Sequence, residues 1–143
     1  MKPALVRAEW QRARQALGAA EVLRDTGYLA DALSRAYYAM LHAAKAALYV
    51  HDVATASHAA VRRMFGLHLI QSGEIEGEWG SHLGEILDDR LAADYDVEAM
   101  FTAEEANLAC RQARTFLDRI ETYLIANGLT DDDLSSKPHP SLE

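Results

Sequence analysis

Seven polar side chains recur at helical spacing in one segment of the chain. Tyr28, Asp31, Arg35, Tyr38, His42, Lys45 and Tyr49 follow alternating steps of +3 and +4. Seven residues along an α-helix turn the chain by about 700°, within about 20° of two full turns, so all seven line one narrow strip. These residue types suit a phosphodiester: arginine holds phosphate, histidine carries a proton near neutral pH, and tyrosine rings stack on bases. The rest of the segment from Leu29 to Val50 is apolar on every side, which belongs in the middle of a bundle. Charges on such a helix need partners. The strip therefore meets polar groups of a neighbouring helix, a subunit interface or a wet cleft. As a satisfied seam it sets register between helices without chemistry, and Arg35 is then buried against Asp94, Asp96 or Asp31. As a groove it makes Arg35 and His42 the candidate catalytic pair. Tyr28, Asp31, Tyr38, Lys45 and Tyr49 are then the binding residues.

Other chemistry is sparse. His51, His58, His68, His82 and His139 form no i,i+4 pair among themselves and no HExxH, so no metal site is expected. No Gly-rich phosphate loop, Ser/His/Asp arrangement or cysteine nucleophile motif is present, and no cofactor is expected. The single cysteine, Cys110, excludes an internal disulfide and a cysteine-based zinc site.

The elements that position the strip are helices throughout, since no β-alternation occurs anywhere. Helix one is expected from about Ala4 to Arg24, on the apolar stripe Val6, Trp10, Ala13, Leu17 and Ala20, with Gly27 at its C′ position. Helix two runs from Leu29 to Val50. Helix three starts after Ser57, a good N-cap, and runs to about Gln71. An acidic, glycine-containing loop is expected from Glu74 to Gly80, and helix four from Ser81 to Ala93. Helix five opens with a capping box, Thr102 to Glu105, carries the stripe Ala106, Ala109, Ala113, Leu117, Ile120 and Leu124, and closes at Asn127-Gly128. Short connections make this an all-α protein, a single antiparallel bundle of about five helices over residues 1–128. Residues 129–143 read as a polar, loosely ordered tail.

The 143 residues are one domain's worth, and half are apolar, enough for an independent core. No stretch reaches the ~18 uncharged apolar residues of a membrane span, and the start lacks an apolar leader, so a cytoplasmic protein is expected. The net charge of −8 is unevenly spread. Residues 1–70 carry nine Lys and Arg against five Asp and Glu; residues 71–143 carry five against seventeen. The bulk field repels nucleic acid, while Arg7, Arg12, Arg14, Arg24, Arg62 and Arg63 leave the first half a local basic face. The same asymmetry favours self-association.

The string Ser34-Arg35-Ala36-Tyr37-Tyr38-Ala39-Met40-Leu41-His42-Ala43-Ala44-Lys45-Ala46 resembles the HEPN superfamily of small prokaryotic proteins. Also similar are the Gly27-Tyr28 turn, Ser57-His58, the run Arg90-Leu91-Ala92-Ala93-Asp94-Tyr95-Asp96, and the Thr102-Ala103-Glu104-Glu105-Ala106 helix start. The resemblance covers about residues 4–125. It implies a helical bundle that pairs into a homodimer, acts in toxin–antitoxin or defence systems and is often encoded beside a minimal nucleotidyltransferase. Catalytic relatives are metal-independent ribonucleases with an Arg-x(4–6)-His motif, often with a polar residue after the Arg. Arg35 to His42 fits that spacing, with Ala36 in the polar place. In the toxins the motif lies late in the chain, and the late position here is Arg90, Asp94 and Tyr95, with Asp94 where the His belongs. A carboxylate is a poor proton donor to a leaving oxygen. The leading expectation is a dimeric module that binds RNA or a nucleotidyltransferase partner, with its catalytic motif degenerate. One alternative is an endoribonuclease toxin using Arg35 and His42; the other is an interaction domain with no nucleic-acid role.

Overall fold

The computed structural model describes residues 1–95 and 100–135, with backbone alone for 89–95. The chain runs α1 (Pro3–Asp25), α2 (Leu29–Val50), α3 (His58–Phe65), α4 (Gly77–Tyr95), α5 (Ala103–Ala126) and α6 (Asp131–Ser135). α3 continues into one wide π-helical turn, Gly66–Ile70. Among the described residues there is no strand, and no helix is long and apolar enough to cross a membrane.

The ends of these helices follow local chemistry. α1, α2 and α5 close with the same pair of hydrogen bonds: Tyr28 N to Leu23 O at 2.9 Å, Val53 N to Leu48 O at 3.1 Å and Leu129 N to Leu124 O at 3.1 Å, each with a shorter-range partner. That geometry needs a left-handed residue just past the helix. Gly27 (φ 88°) and Gly128 (φ 101°) supply it in α1 and α5. In α2 the position is Asp52 (φ 58°), whose carboxylate accepts from the Met1 amine at 3.0 Å. At the N-termini, Ser57 Oγ accepts from Ala60 N at 3.1 Å, and Thr102 and Glu105 form the expected capping box.

α2 is the central helix: twelve of its 22 residues are buried, and it packs on α1, α3, α4 and α5. Trp10, Tyr37, Met40, Phe65, Leu69, Phe116 and Ile120 fill the core around it. The expected stripes of α1 and α5 are buried in full, and Cys110 lies among them.

Two boundaries differ from expectation. α4 begins at Gly77, so the loop after α3 is shorter than Glu74 to Gly80. Gly80 serves packing: a Cβ there would stand 3.3 Å from Ile70 Cγ1. The expected loose tail instead opens with α6, whose Leu134 is 3% exposed. Trp10 Nε1 and Arg14 Nη1 both donate to the Leu134 carbonyl, at 3.1 and 2.7 Å, and Arg7 pairs with Asp133 at 3.3 Å. Ordered packing on α1 thus extends beyond residue 128.

Candidate functional site

The polar strip of α2 does not lie inside the bundle. Among the described residues no polar or charged side chain is fully buried. Arg35 is exposed, and its guanidinium carbon stands 5.8 Å from the centre of the Tyr38 ring, a cation–π contact. The expected burial of Arg35 against a carboxylate is therefore corrected. Asp94 and Asp96 have no described side chains, and Asp31 is exposed in the first turn of α2. The physical reason is rotation: α2 turns the strip toward the open seam that it forms with α1, with the α2–α3 connection on the far side of Tyr38 and His42.

A groove of about 530 Å³ runs along that seam. Arg12 and Gln15 of α1 form one wall, Arg35, Tyr38 and His42 of α2 the other, and Ala16 and Ala19 the floor between them. Two arginines make this channel locally cationic in a chain of net charge −8. Tyr38 and His42 stack in near-parallel fashion, with ring centres 6.4 Å apart and planes inclined by 26°. They also form one side of a second hollow of about 180 Å³, which reaches to Thr55, Ser57 and His58.

At the end of the groove Glu9 of α1 meets two residues of the strip. Its Oε2 lies 2.7 Å from His42 Nδ1 and its Oε1 lies 3.5 Å from Lys45 Nζ. Burial raises the Glu9 carboxyl, but the hydrogen bonds and charges of His42 and Lys45 outweigh that and hold it below its ordinary value. Glu9 is therefore an ionised acceptor near neutral pH, and His42 Nδ1 must carry the proton it donates. In the neutral ring this fixes the tautomer and leaves Nε2 with its lone pair. Among the described residues Nε2 has no protein partner. An oriented imidazole with one nitrogen held and the other open is the arrangement of a proton carrier.

The structure brings Arg35, Tyr38, His42 and Lys45 together and leaves the other three strip residues outside. Tyr28 caps the start of α2 and is 61% exposed, Asp31 is exposed one turn on, and Tyr49 packs against the core. Arg90, Asp94 and Tyr95 lie on α4, and their side chains fall outside those described. Sequence reasoning missed Glu9. Its signal was the series Glu9, Arg12, Ala16, Ala19 at +3, +4, +3, a second stripe of α1 beside the apolar one. A separate cluster ties the loop after α3 to α5: Tyr123 donates to Glu74 at 2.8 Å and accepts from His51 Nε2 at 2.8 Å. Among the described residues no three His, Cys, Asp or Glu side chains converge as a metal site would require.

Fold and groove together define a small α-helical protein with a cationic channel and an oriented histidine on its central helix. The chain belongs to the HEPN domain family, which matches residues 6–123. A protein of Methanocaldococcus jannaschii named as a candidate toxin is 38% identical over 112 residues, covering 78% of this chain and 83% of its own. A second candidate toxin of that organism is 29% identical over 119 residues, covering 83% and 81%. A UPF0332 protein of Gloeobacter violaceus is 30% identical over 114 residues, covering 79% and 90%.

Proposed function

We propose that this HEPN protein acts in the manner of a toxin, cutting RNA in the groove between α1 and α2. The observation that carries the reading is the Glu9–His42 pair: an oriented imidazole in an open cationic groove rather than in a packed seam. In this reaction His42 Nε2 takes the proton of a 2′-hydroxyl. The 2′-oxygen then bonds to phosphorus, the bond from phosphorus to the 5′-oxygen breaks, and the imidazolium returns the proton to that oxygen. The products are a 2′,3′-cyclic phosphate and a 5′-hydroxyl. Arg35 and Arg12 neutralise the phosphate. Relatives named as candidate toxins support this direction. A homodimer sets two such grooves in one particle, and a nucleotidyltransferase is the expected protein partner that restrains it.

A second reading, RNA or partner binding without cleavage, is favoured by Asp94 in the late motif, where a carboxylate replaces the titrating residue. The test incubates wild type, His42→Ala and Arg35→Ala with total RNA in the presence of chelator, followed by gel. Chelator-resistant cleavage lost in both variants supports the ribonuclease. Binding without cleavage in the wild type selects the second reading.

A further inference from the structure

We propose that the recess where α1, α5 and α6 meet is a docking site for a basic segment of a partner protein. Such docking does not depend on the chemistry of the groove. The recess has a volume of about 410 Å³. Its floor is Trp10, Leu17, Leu117 and Leu134, all buried. Its rim carries charge from all three helices: Arg14 of α1, Arg114, Asp118 and Glu121 of α5, and Asp131 of α6.

The two signs of rim charge are not equally available. Arg114 donates to both carboxylate oxygens of Glu21, at 2.6 and 2.8 Å, so that cation is already neutralised. Arg14 spends Nη1 on the Leu134 carbonyl at 2.7 Å. Asp118, Glu121 and Asp131 are exposed and hold no ion pair among the described residues. The recess therefore presents surplus negative charge above an apolar floor. That combination suits a lysine or arginine, whose methylene stem lies on apolar surface while its head stays with the carboxylates. The wider field acts in the same direction: residues 71–143 carry seventeen Asp and Glu against five Lys and Arg, which steers a basic partner to this half of the chain.

Position argues against a second copy as the occupant. On the helical wheel, Trp10, Arg14 and Leu17 lie about 180° round α1 from the groove residues Arg12, Gln15, Ala16 and Ala19. A copy that set its arginine-lined groove on the recess would add head to tail and fail to close, giving filaments rather than a defined particle. A partner seated in the recess leaves the groove open.

The test measures the binding of short fluorescein-labelled peptides to the full chain by anisotropy. One peptide alternates lysine with leucine, and its counterpart alternates glutamate with leucine. Asp118→Asn combined with Glu121→Gln removes two rim charges, and Ser135→Phe obstructs the recess without changing charge. Glu78→Gln combined with Glu85→Gln, at exposed positions of α4, removes the same net charge elsewhere and is the control. The basic peptide should bind wild type and control alike. The rim variant should weaken it by roughly five- to tenfold, the loss of two partly exposed ion pairs, and Ser135→Phe should weaken it as well. The acidic peptide should not bind. An equal loss in the control overturns the site, because the bulk field alone then attracts the peptide. Failure of the basic peptide to bind wild type overturns it too. Light scattering of the chain alone covers the other occupant: a mass that grows with concentration, and no longer does so in the rim variant, means that a second copy fills the recess and refutes the partner.

Discussion

Replacing Glu9 with glutamine tests the site at the point where structure and chemistry meet. The carboxylate lies 2.7 Å from His42 Nδ1 and 3.5 Å from Lys45 Nζ, and the Glu9 side chain is 15% exposed. A hydrogen bond to a charged group contributes about 1.5–3 kcal/mol net, and an ordinary one about 1 kcal/mol. The glutamine oxygen can still accept from Nδ1, so that contact loses roughly 1 kcal/mol. The Lys45 pair, partly exposed, adds less than about 1 kcal/mol. A total of about 1–2 kcal/mol lowers the Tm of a chain this size by roughly 3–8 °C near neutral pH. The pH dependence gives the sharper test. Glu9 titrates below its ordinary value of 4.5 in the folded state. Its contribution is therefore present above that value and is lost as pH falls through the lower, folded one. Thermal melts followed by circular dichroism should show a gap between wild type and variant that closes as pH falls below 4.5. A gap that stays constant down the acid range refutes the carboxylate's role. In the cleavage assay the same variant should lower kcat more than it raises KM, because an amide can turn its NH₂ to the ring and favour the wrong tautomer.

Leu134→Ala should cost about 2 kcal/mol, the low end for a buried leucine, and should red-shift the tryptophan fluorescence as α6 loosens over Trp10; an unchanged Tm and spectrum would show that α6 adds nothing. Tyr123→Phe removes the hydroxyl shared by Glu74 and His51, at about 1–2 kcal/mol near neutral pH in urea melts. Burial and Glu74 raise the Tyr123 hydroxyl above its ordinary 10.0. The wild-type advantage is thus complete below that value and should shrink as pH rises beyond it; a gap that widens contradicts this sign. Gly84→Ala in α4 would place a Cβ 2.6 Å from Arg62 Nη2, the end of a half-exposed side chain that pairs with Asp88 at 3.6 Å and can swing aside. Helix propensity then wins, and the Tm should rise with a gain of up to about 1 kcal/mol; a fall would mean that Arg62 is held where it lies.

The helices and their ends were legible because their causes are local. A capping box at Thr102–Glu105, an N-cap at Ser57 and left-handed glycines at 27 and 128 act within a few residues. What failed was long-range. Gly77 and Gly80 read as loop because glycine weakens a helix, whereas here the helix opens at Gly77 and Gly80 admits Ile70. Asp131 to Ser135 read as tail because nothing nearby announces that the Leu134 carbonyl meets Trp10, more than a hundred residues earlier. The strip on α2 was visible as a strip, but its rotation is set by which neighbours α2 has. Glu9 is the partner that periodicity could not supply, since its role exists only once α1 lies beside α2.

Much of what α1 and α2 bury is alanine: Ala13, Ala16 and Ala20 on one, and Ala32, Ala36, Ala39, Ala43, Ala44, Ala46 and Ala47 on the other, all belong to the core. An alanine has no side-chain torsion to freeze, so ordering these positions carries no rotamer entropy. It also has no alternative rotamer with which to accommodate a neighbour. These positions fix the distance between the two backbones, while Arg12, Gln15, Arg35, Tyr38 and His42 line the groove above them. A methylene added at Ala16, which lines the groove, enters the channel itself, so the floor sets the gauge of what passes.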